Sequence, residues 1–253
     1  MPKGNSGIKR SNKVNNTQAN VTQTSQPNRP EETVRGVPQS QIDALRGTRG
    51  HSATSYNWHT IQDDYARVGI SITEAEAKEI RNAILDFSYL HDTEMRKAWK
   101  LRQAGREHDL TPLQKKELKK YDLCAEYCKV APLLPSGKYP TIYRGIKFST
   151  ITPEYAKNLT SLKVGDMWNV DGMPTSFSTS RSVAEAFSKH QGKKGILIHM
   201  PTKGLRNTPS IKGLSYFSGE YEAMVTDYNW RIVKVDDQRT TGDGYYHIHL
   251  DKP

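Results

Sequence analysis

Two glutamates near the C-terminal end of the sequence, Glu220 and Glu222, flank a single tyrosine and precede an apolar run. Residues 220–225 are typical of a β-strand, in which successive side chains point to opposite faces. Both carboxylates would then lie on one face, about 7 Å apart, and repel each other. Such a pair suits a site that stabilises a developing positive charge or takes a proton from a cationic substrate. The alternative is an exposed edge strand that carries two solvated acids.

An arginine and a serine on two further predicted strands are the other polar candidates. Arg144 lies within the apolar strand 141–146, where a guanidinium requires an anionic partner, either a carboxylate or a phosphate. Ser178 ends the strand 175–178, where its hydroxyl could donate a hydrogen bond to a carboxylate and fix its rotamer. Gly145 follows the arginine and allows a backbone or a ligand to approach closely.

Histidines and cysteines are the side chains that most often bind metals. His247 and His249 share one face of a predicted strand, and this spacing could hold a metal ion. The alternative, which also covers His199, is that these histidines are surface or packing residues. Cys124 and Cys128 lie on one face of a predicted helix, where buried thiols are the default and two cysteines alone make a poor zinc site. With only two cysteines, a disulfide scaffold is excluded.

Charge and composition divide the chain at about residue 52. The 253 residues carry 37 basic and 27 acidic side chains, a net charge of +10, and the mean hydropathy is −0.76. Residues 1–52 are rich in Asn, Gln, Ser and Thr and lack apolar periodicity, which predicts a disordered basic arm with one short helix at 39–45. Residues 53–253 are expected to fold. The positive charge favours acidic partners: nucleic acid, a membrane surface or an anionic cofactor.

Helices precede strands in the part that is expected to fold. Capping-box patterns predict helix starts at Thr73, at Thr111 and at Ser182, and a further helix is predicted over 93–104. Strand patterns occur at 141–146, 175–178, 195–200, 220–225, 231–235 and 245–250. This order, with helices over 53–135 and strands over 136–253, predicts an α+β fold rather than a parallel α/β sheet.

The sequence predicts neither a membrane-spanning segment nor a signal peptide. No apolar run approaches the 18 residues that a membrane span requires. The residues after Met1 are polar rather than apolar, so a standard signal peptide is not expected. The sequence predicts a protein that is kept in the cytoplasm or exported by a route that reads no such signal.

The order of these motifs resembles that of a known enzyme family. The motifs are Arg144, then Ser178-Thr179-Ser180, then Glu220-Tyr221-Glu222. Together they resemble the Arg-Ser-Glu class of mono-ADP-ribosyltransferases, which includes actin-modifying binary toxins and related phage and bacterial effectors. The similarity covers roughly residues 60–253. It implies the ADP-ribosyltransferase fold, with N-terminal helices packed on a two-sheet, mixed or antiparallel β core.

The resemblance also implies a reaction and a role for each motif. The nicotinamide–ribose bond of NAD would break early and leave an oxocarbenium-like ribosyl cation. Glu222 is similar to the family's catalytic glutamate, which stabilises that cation, and Ser178 would hold Glu222 in place. Arg144 would bind the NAD phosphates, and Glu220 would help take the proton of the incoming nucleophile. This chemistry requires no metal.

The residue at position 220 indicates the target in this family. Glutamate there accompanies arginine as the acceptor, so the implied partner is a target protein with an exposed arginine. Phe217 would stack on the target, with Tyr216 beside it. The residues assigned to the NAD site besides Arg144 and Ser178 are Gly145, Thr179, Ser180 and Phe187. Phe187 is expected either to stack on nicotinamide or to face the core.

Three functions stay open at this level. The first is an arginine-specific toxin or phage effector, in the cytoplasm of the producing or target cell, delivered by phage or a specialised secretion system. The second is an enzyme that modifies RNA or DNA, which the basic charge motivates, or that only hydrolyses NAD. The third is a virion or binding protein without activity. An antitoxin or immunity protein is a further expected partner.

Overall fold

A computed structural model of the chain describes residues 31–52, 56–89, 92–168, 174–227 and 229–252. The helices are α1 (Gln39–Leu45), α2 (Trp58–Arg67), α3 (Glu74–Ser88), α4 (Asp92–Gln103), α5 (Pro112–Val130), α6 (Pro153–Ser161) and α7 (Arg181–Ser188). The strands are β1 (Thr33–Val34), β2 (Val37–Pro38), β3 (Thr141–Ile146), β4 (Met167–Trp168), β5 (Thr175–Ser178), β6 (Ile196–Pro201), β7 (Glu222–Val225), β8 (Trp230–Asp237) and β9 (Tyr246–Asp251). The predicted α+β class is confirmed. Within the described ranges, no helix has both the length and the apolar character that crossing a membrane requires.

Side chains cap α3 and α5 at the positions that the sequence predicts. Thr73 accepts a hydrogen bond from the Glu76 N–H (3.2 Å), and the Glu76 carboxylate accepts one from the Thr73 N–H (2.8 Å). Thr111 and Gln114 make the same reciprocal pair at the start of α5. These bonds satisfy donors that a helix end otherwise leaves unpaired, so the residues of the first turn determine where both helices begin.

The apolar faces of α2, α3 and α5 meet in a common core. In α3 the buried side chains follow helical spacing and are Ala77, Ile80, Ala83, Ile84 and Phe87. Cys124 and Cys128 of α5 are free and completely buried in this core. Burial raises the pKa of both thiols. The two cysteines are therefore packing residues, as the sequence predicts.

The folded part of the chain begins well before the boundary predicted at residue 53. Residues 33–52 contain β1, β2 and α1, and α1 coincides with the short helix that the sequence predicts. Ile42 is completely buried and Arg46 is 2% exposed. Arg46 donates a hydrogen bond to the Lys129 carbonyl oxygen of α5 (3.1 Å). The disordered arm predicted over 1–52 is thus wrong for its last part, because guanidinium bonds hold a segment that lacks an apolar stripe. The first part of that arm lies outside the described residues.

Arg49 joins the same segment to α2 and α5. Its guanidinium binds both carboxylate oxygens of Asp64, at 2.7 Å each, and donates to the Tyr127 hydroxyl (3.0 Å). Tyr127 in turn donates to Asp64 (2.8 Å). Asp64 is completely buried, so its charge depends on these donors. The network fixes three parts of the helical region to one another.

Seven strands of the described ranges form one mixed sheet in the order β4-β8-β9-β6-β3-β5-β7. β6 and β9 run parallel, and the other neighbouring pairs run antiparallel. β1 and β2 form a separate ribbon. The two-sheet core implied by the resemblance is therefore found as a single hydrogen-bonded sheet, because β3 pairs with β6 on one side and with β5 on the other.

Two glycines allow α7 to lie directly against the sheet. A Cβ atom at Gly145 would lie 1.9 Å from the Ala184 carbonyl oxygen of α7. A Cβ atom at Gly195 would lie 2.7 Å from the Ser188 carbonyl oxygen of α7 and 2.1 Å from the Ile146 carbonyl oxygen of β3. No side chain fits at such distances, so both positions require glycine. At Gly145 the structure thus shows the close approach of a backbone that the sequence predicts.

Two predicted element starts differ from the structure by two residues. β7 begins at Glu222 rather than at residue 220, because Ser218–Glu220 form a 3₁₀ turn. α7 begins after Ser180, so the capping box predicted at Ser182 is wrong. The hydroxyls of Ser180 and Ser182 bond each other instead (2.9 Å). α6 and β4 are further elements that the sequence patterns did not predict.

Candidate active site

A cleft of about 260 Å³ opens between α7, the end of α3 and the strands β3, β5 and β7. Its polar and aromatic lining comprises Phe87, Ser88, Tyr89, Tyr143, Arg144, Ser176, Phe177, Ser178, Phe187, Glu220 and Glu222. The four side chains predicted to be catalytic, Arg144, Ser178, Glu220 and Glu222, therefore line one cleft although they come from three strands and a turn.

The Glu222 carboxylate is buried and held by two serine hydroxyls. Glu222 is the first residue of β7 and is 3% exposed. Its Oε1 accepts a hydrogen bond from Ser176 Oγ, and its Oε2 accepts one from Ser215 Oγ (2.8 Å). Each serine engages a different oxygen, so the carboxylate is fixed in one orientation.

Ser178 acts on the backbone of the turn rather than on the Glu222 carboxylate. Its Oγ donates to the Glu220 carbonyl oxygen (2.6 Å) and accepts from the Ser180 N–H (3.0 Å). A hydroxyl has one proton, so this donation precludes the predicted one to Glu222. The Thr179 N–H donates to the Tyr221 carbonyl oxygen (3.1 Å). The Ser-Thr-Ser motif thus clamps the backbone that carries both glutamates.

A left-handed residue places Glu220 beside Glu222. Tyr221, between them, has φ 50° and ψ 45°, a conformation that is uncommon for residues other than glycine. The predicted alternation along a strand is therefore wrong for this pair, although both carboxylates reach the same cleft. Burial and the charge of Glu222 raise the pKa of Glu220 to about 7. Glu220 can therefore gain or lose a proton near neutral pH.

Arg144 supplies positive charge to the cleft. It lies on β3 and is half-buried, and its Nη1 donates to the Ser176 carbonyl oxygen (2.8 Å). The same serine therefore holds Arg144 through its backbone and Glu222 through its hydroxyl. This pairing fixes the distance between the cationic and the anionic parts of the cleft.

Phe187 of α7 and Gly145 of β3 both line the cleft. Phe187 is 46% exposed, so the core-facing alternative predicted for it is wrong. The side chains that α7 buries are those of Ala184 and Ser188. Gly145 contributes only backbone to the cleft, and it brings α7 close enough for Phe187 to reach.

The remaining predicted residues lie around the cleft rather than in its lining. Thr179 Oγ1 and His51 Nε2 are 2.6 Å apart, and Ser180 is the N-cap of α7. Tyr216 and Phe217 are 59% and 40% exposed. Their rings lie 4.5 Å and 6.0 Å from the ring of Tyr89. The two aromatic side chains thus form an exposed patch that continues from the cleft.

Sequence reasoning missed the two serines that hold Glu222. Ser176 lies two residues before Ser178 on the same strand, so strand periodicity places both on one face and could have identified it. Ser215 is in a loop seven residues before Glu222, and nothing in the residue types there indicates its contact.

Solved structures of ADP-ribosyltransferases resemble this fold over most of its length. The ADP-ribosyltransferase Vis of Vibrio splendidus is 22% identical, with a TM-score of 0.50 over 90% of this chain and 88% of that one. The Clostridium limosum C3 exoenzyme is 13% identical, with a TM-score of 0.51 over 79% of this chain and 98% of that one. An ADP-ribosyltransferase of Clostridium botulinum is 14% identical, with a TM-score of 0.50 over 80% of this chain and 98% of that one. No protein-family model and no curated protein sequence matches the chain.

These likenesses establish the fold. The chain has the fold of the ADP-ribosyltransferases, as the motifs of its sequence predict.

Proposed function

We propose that this protein is a mono-ADP-ribosyltransferase, which cleaves the nicotinamide–ribose bond of NAD and transfers ADP-ribose to an arginine of a target protein. The observation that carries the proposal is the juxtaposition of Glu220, Glu222 and Arg144 in one cleft of this fold. A buried carboxylate, a second carboxylate with a pKa near neutrality and a guanidinium are the groups that such a transfer requires.

The cleft suits part of a dinucleotide. Arg144 offers a guanidinium to phosphate, and Phe187 offers a ring face to a flat aromatic group. With a volume of about 260 Å³, the cleft is slightly smaller than most small-molecule sites, which span roughly 300–1,000 Å³. We therefore assign the nicotinamide and its ribose to the cleft and the rest of NAD to its rim.

Glu222 serves the bond-breaking step. When the bond between ribose C1′ and the nicotinamide nitrogen breaks, the electron pair leaves with nicotinamide and positive charge develops on the ribose. The Glu222 carboxylate opposes that charge at a position fixed by Ser176 and Ser215. Because its orientation is set before the reaction, little reorganisation is needed as the charge appears.

Glu220 serves the acceptor. A guanidinium nitrogen of the target arginine forms the new bond to C1′ and loses a proton, which the Glu220 carboxylate accepts. A carboxylate with a pKa of about 7 is ionised in a large fraction of molecules at neutral pH. It is also basic enough to take the proton from the arginine. We assign contact with the protein that carries the arginine to Tyr216 and Phe217, because their rings are exposed beside the cleft.

Two substitutions test this division of roles. We expect Glu222→Gln to abolish both nicotinamide release and transfer from labelled NAD to a free guanidino compound. We expect Glu220→Gln to abolish transfer and to retain nicotinamide release with water as the acceptor. Glu154→Gln, an exposed glutamate in the first turn of α6, is the matched control. Normal labelling by Glu222→Gln would contradict the proposal, and equal loss of both activities in Glu220→Gln would contradict the separate roles.

A nucleic-acid acceptor is the second candidate. The net charge of +10 favours it, because attraction to phosphate gives affinity without sequence recognition. Labelling of a cell lysate separates the two candidates. Label that nuclease removes and protease leaves would support RNA or DNA as the target, and the opposite result supports protein.

A further inference from the structure

Three histidines lie together on the face of the sheet that α7 partly covers. His199 is on β6, and His247 and His249 are on the neighbouring parallel strand β9, with His199 directly opposite His249. One ring nitrogen of each can be chosen so that all three lie within 4.8 Å of one another. We propose that His199, His247 and His249 bind one divalent transition-metal ion, for which zinc is the best match. The proposal does not depend on the transferase activity.

Hydrogen bonds around His247 prepare one nitrogen as a ligand. Its Nε2 lies 2.9 Å from Asp243 Oδ1, and its Nδ1 lies 2.9 Å from His199 Nε2. A carboxylate only accepts hydrogen bonds, so Nε2 carries the proton and Nδ1 carries the lone pair. A metal-bound histidine commonly donates its other N–H to a carboxylate in this way. Asp243 would therefore fix the ring of His247 with Nδ1 directed at the metal.

The three ligand nitrogens lie within 4.8 Å of one another, at most about 1.5 Å farther apart than zinc requires. Zinc binds histidine nitrogen at about 2.0–2.1 Å in tetrahedral sites, so ligand nitrogens are separated by about 3.3 Å. His199 and His247 need to separate by only about 0.4 Å from their present contact. The rings of His199 and His249 are stacked, with centroids 4.1 Å apart and an interplanar angle of 17°. Because imidazole lone pairs lie in the ring plane, one of these two rings must turn about its side-chain bonds before both can bind the same ion.

The surrounding charges permit a dication. Arg181 is paired with Asp243 (2.5 Å) and Glu185 (2.8 Å). Lys234, on the strand beside β9, is paired with Asp236 (3.1 Å). Each of these two cations thus has a carboxylate partner.

The ligand set selects the class of ion. Three imidazoles suit zinc, cobalt, nickel and copper, whereas magnesium and calcium prefer oxygen ligands. His199 and His249 are half-buried rather than buried, so water can supply a fourth ligand from the open side. The ion would join β6, in the middle of the sheet, to β9, the last strand. The His199 ring also contacts Tyr143 (centroids 5.3 Å apart), which lines the cleft.

Metal content and thermal melting test the proposal. The untagged full-length chain is treated with a chelator, dialysed against zinc and analysed for bound metal. We expect one zinc per chain, a higher melting temperature with zinc and no such increase with magnesium. Cobalt in place of zinc should give the visible absorption bands of a tetrahedral site.

Matched histidine variants make the test specific. We expect His199→Gln and His249→Gln to lose the bound zinc and the zinc-dependent increase in melting temperature. His108→Gln changes a histidine whose side chain is 77% exposed and should bind zinc like the unmodified chain. His199 and His249 are half-buried, and far-UV circular dichroism identifies a variant that fails to fold, in which case the other variant decides. Absence of bound zinc in the unmodified chain, or equal zinc in folded His249→Gln, would overturn the proposal.

Discussion

The two glutamates of the cleft differ in their surroundings more than in their position. Glu222 is 3% exposed and accepts hydrogen bonds from two serines, whereas Glu220 is half-buried at the end of a turn. Two carboxylates whose environments differ can take different tasks in one reaction. The different exposures match the proposed tasks, since the ribose charge develops inside the cleft and the acceptor arrives from solvent.

The pH dependence of transfer follows from the pKa of Glu220. A carboxylate accepts a proton only when it is ionised, so its useful fraction rises as pH rises through about 7. We expect the rate of transfer to a guanidino acceptor to increase through this range and then level off. Nicotinamide release with water as acceptor should lack this inflection. The two rates are measured by labelled-NAD assays between about pH 5 and about pH 9, and parallel profiles would show that Glu220 is not the acceptor's base.

The same pKa has a consequence for stability. The pKa of Glu220 is raised from 4.5 to about 7, so the folded state binds more protons than the unfolded state between these values. Stability is therefore lost as pH rises through this window, and the loss is complete above about pH 7. We expect Glu220→Gln to melt at a higher temperature than the unmodified chain at pH 8. The difference should become smaller toward pH 4.5, and an unchanged difference in calorimetric scans at both pH values would contradict the assignment.

Removal of the hydroxyl group should affect the two reaction rates differently at Ser176 and at Ser178. Ser176→Ala removes a hydrogen-bond donor from a buried carboxylate, which costs about 1–3 kcal/mol, or a roughly 5-fold to 150-fold lower kcat for NAD cleavage. Ser178→Ala removes the clamp on the Glu220 carbonyl group and should lower transfer to arginine more than NAD cleavage. Ser149→Ala, at an exposed position, is the control. Steady-state rates of both activities decide the outcome, and identical effects of the two serines would refute the different roles.

At the scale of elements, α7 determines the shape of the cleft. The helix presents Phe187 to the cleft and Ala184 to the sheet, and Gly145 is the point of closest approach. Because this contact is between backbone atoms, no side chain can move aside to make room for an added group.

We therefore expect Gly145→Ala to displace α7. The added methyl group would lie 1.9 Å from the Ala184 carbonyl oxygen, and overpacking of this kind costs about 1–3 kcal/mol or more. Gly137→Ala is the matched control, since a Cβ there meets nothing within 4 Å. Urea unfolding measures the change in free energy, and NAD affinity should fall with it. Equal free energies of unfolding for the two variants would show that α7 can move away from Gly145 without loss of stability.

Some of these elements could be predicted from sequence and others could not. The starts of α3 and α5 follow from residues within one turn of Thr73 and Thr111, and such signals are local. The turn before β7 was missed because the left-handed conformation of Tyr221 is not favoured by its residue type. The hydrogen bond from Ser215 to Glu222 was not predicted, because it depends on the path of a loop that leads back to the sheet. The position of Ser176 could have been predicted, because side chains alternate between the two faces of a strand and Ser176 therefore shares a face with Ser178.

At the scale of the whole molecule, a polar segment completes the helical core. Residues 33–52 bury Ile42 and Arg46 and supply Arg49 to the buried Asp64. The segment reaches the site as well, because His51 lies 2.6 Å from both Ser210 Oγ and Thr179 Oγ1. Its composition resembles that of a disordered arm, since hydrogen bonds of charged and polar side chains replace the usual apolar stripe.

Removal of N-terminal residues should therefore prevent folding when the chain begins at residue 53 but not when it begins at residue 31. A chain that begins at residue 53 leaves Asp64 buried without its main partner, which costs about 3–5 kcal/mol, and also loses the burial of Ile42, about 1.5–3 kcal/mol. The sum approaches the total stability of a domain, about 5–15 kcal/mol, so we expect no cooperative thermal transition. A chain that begins at residue 31 keeps every one of these contacts and should melt and release nicotinamide like the full chain. A chain from residue 53 that melts like the full one would show that the segment does not contribute to the fold.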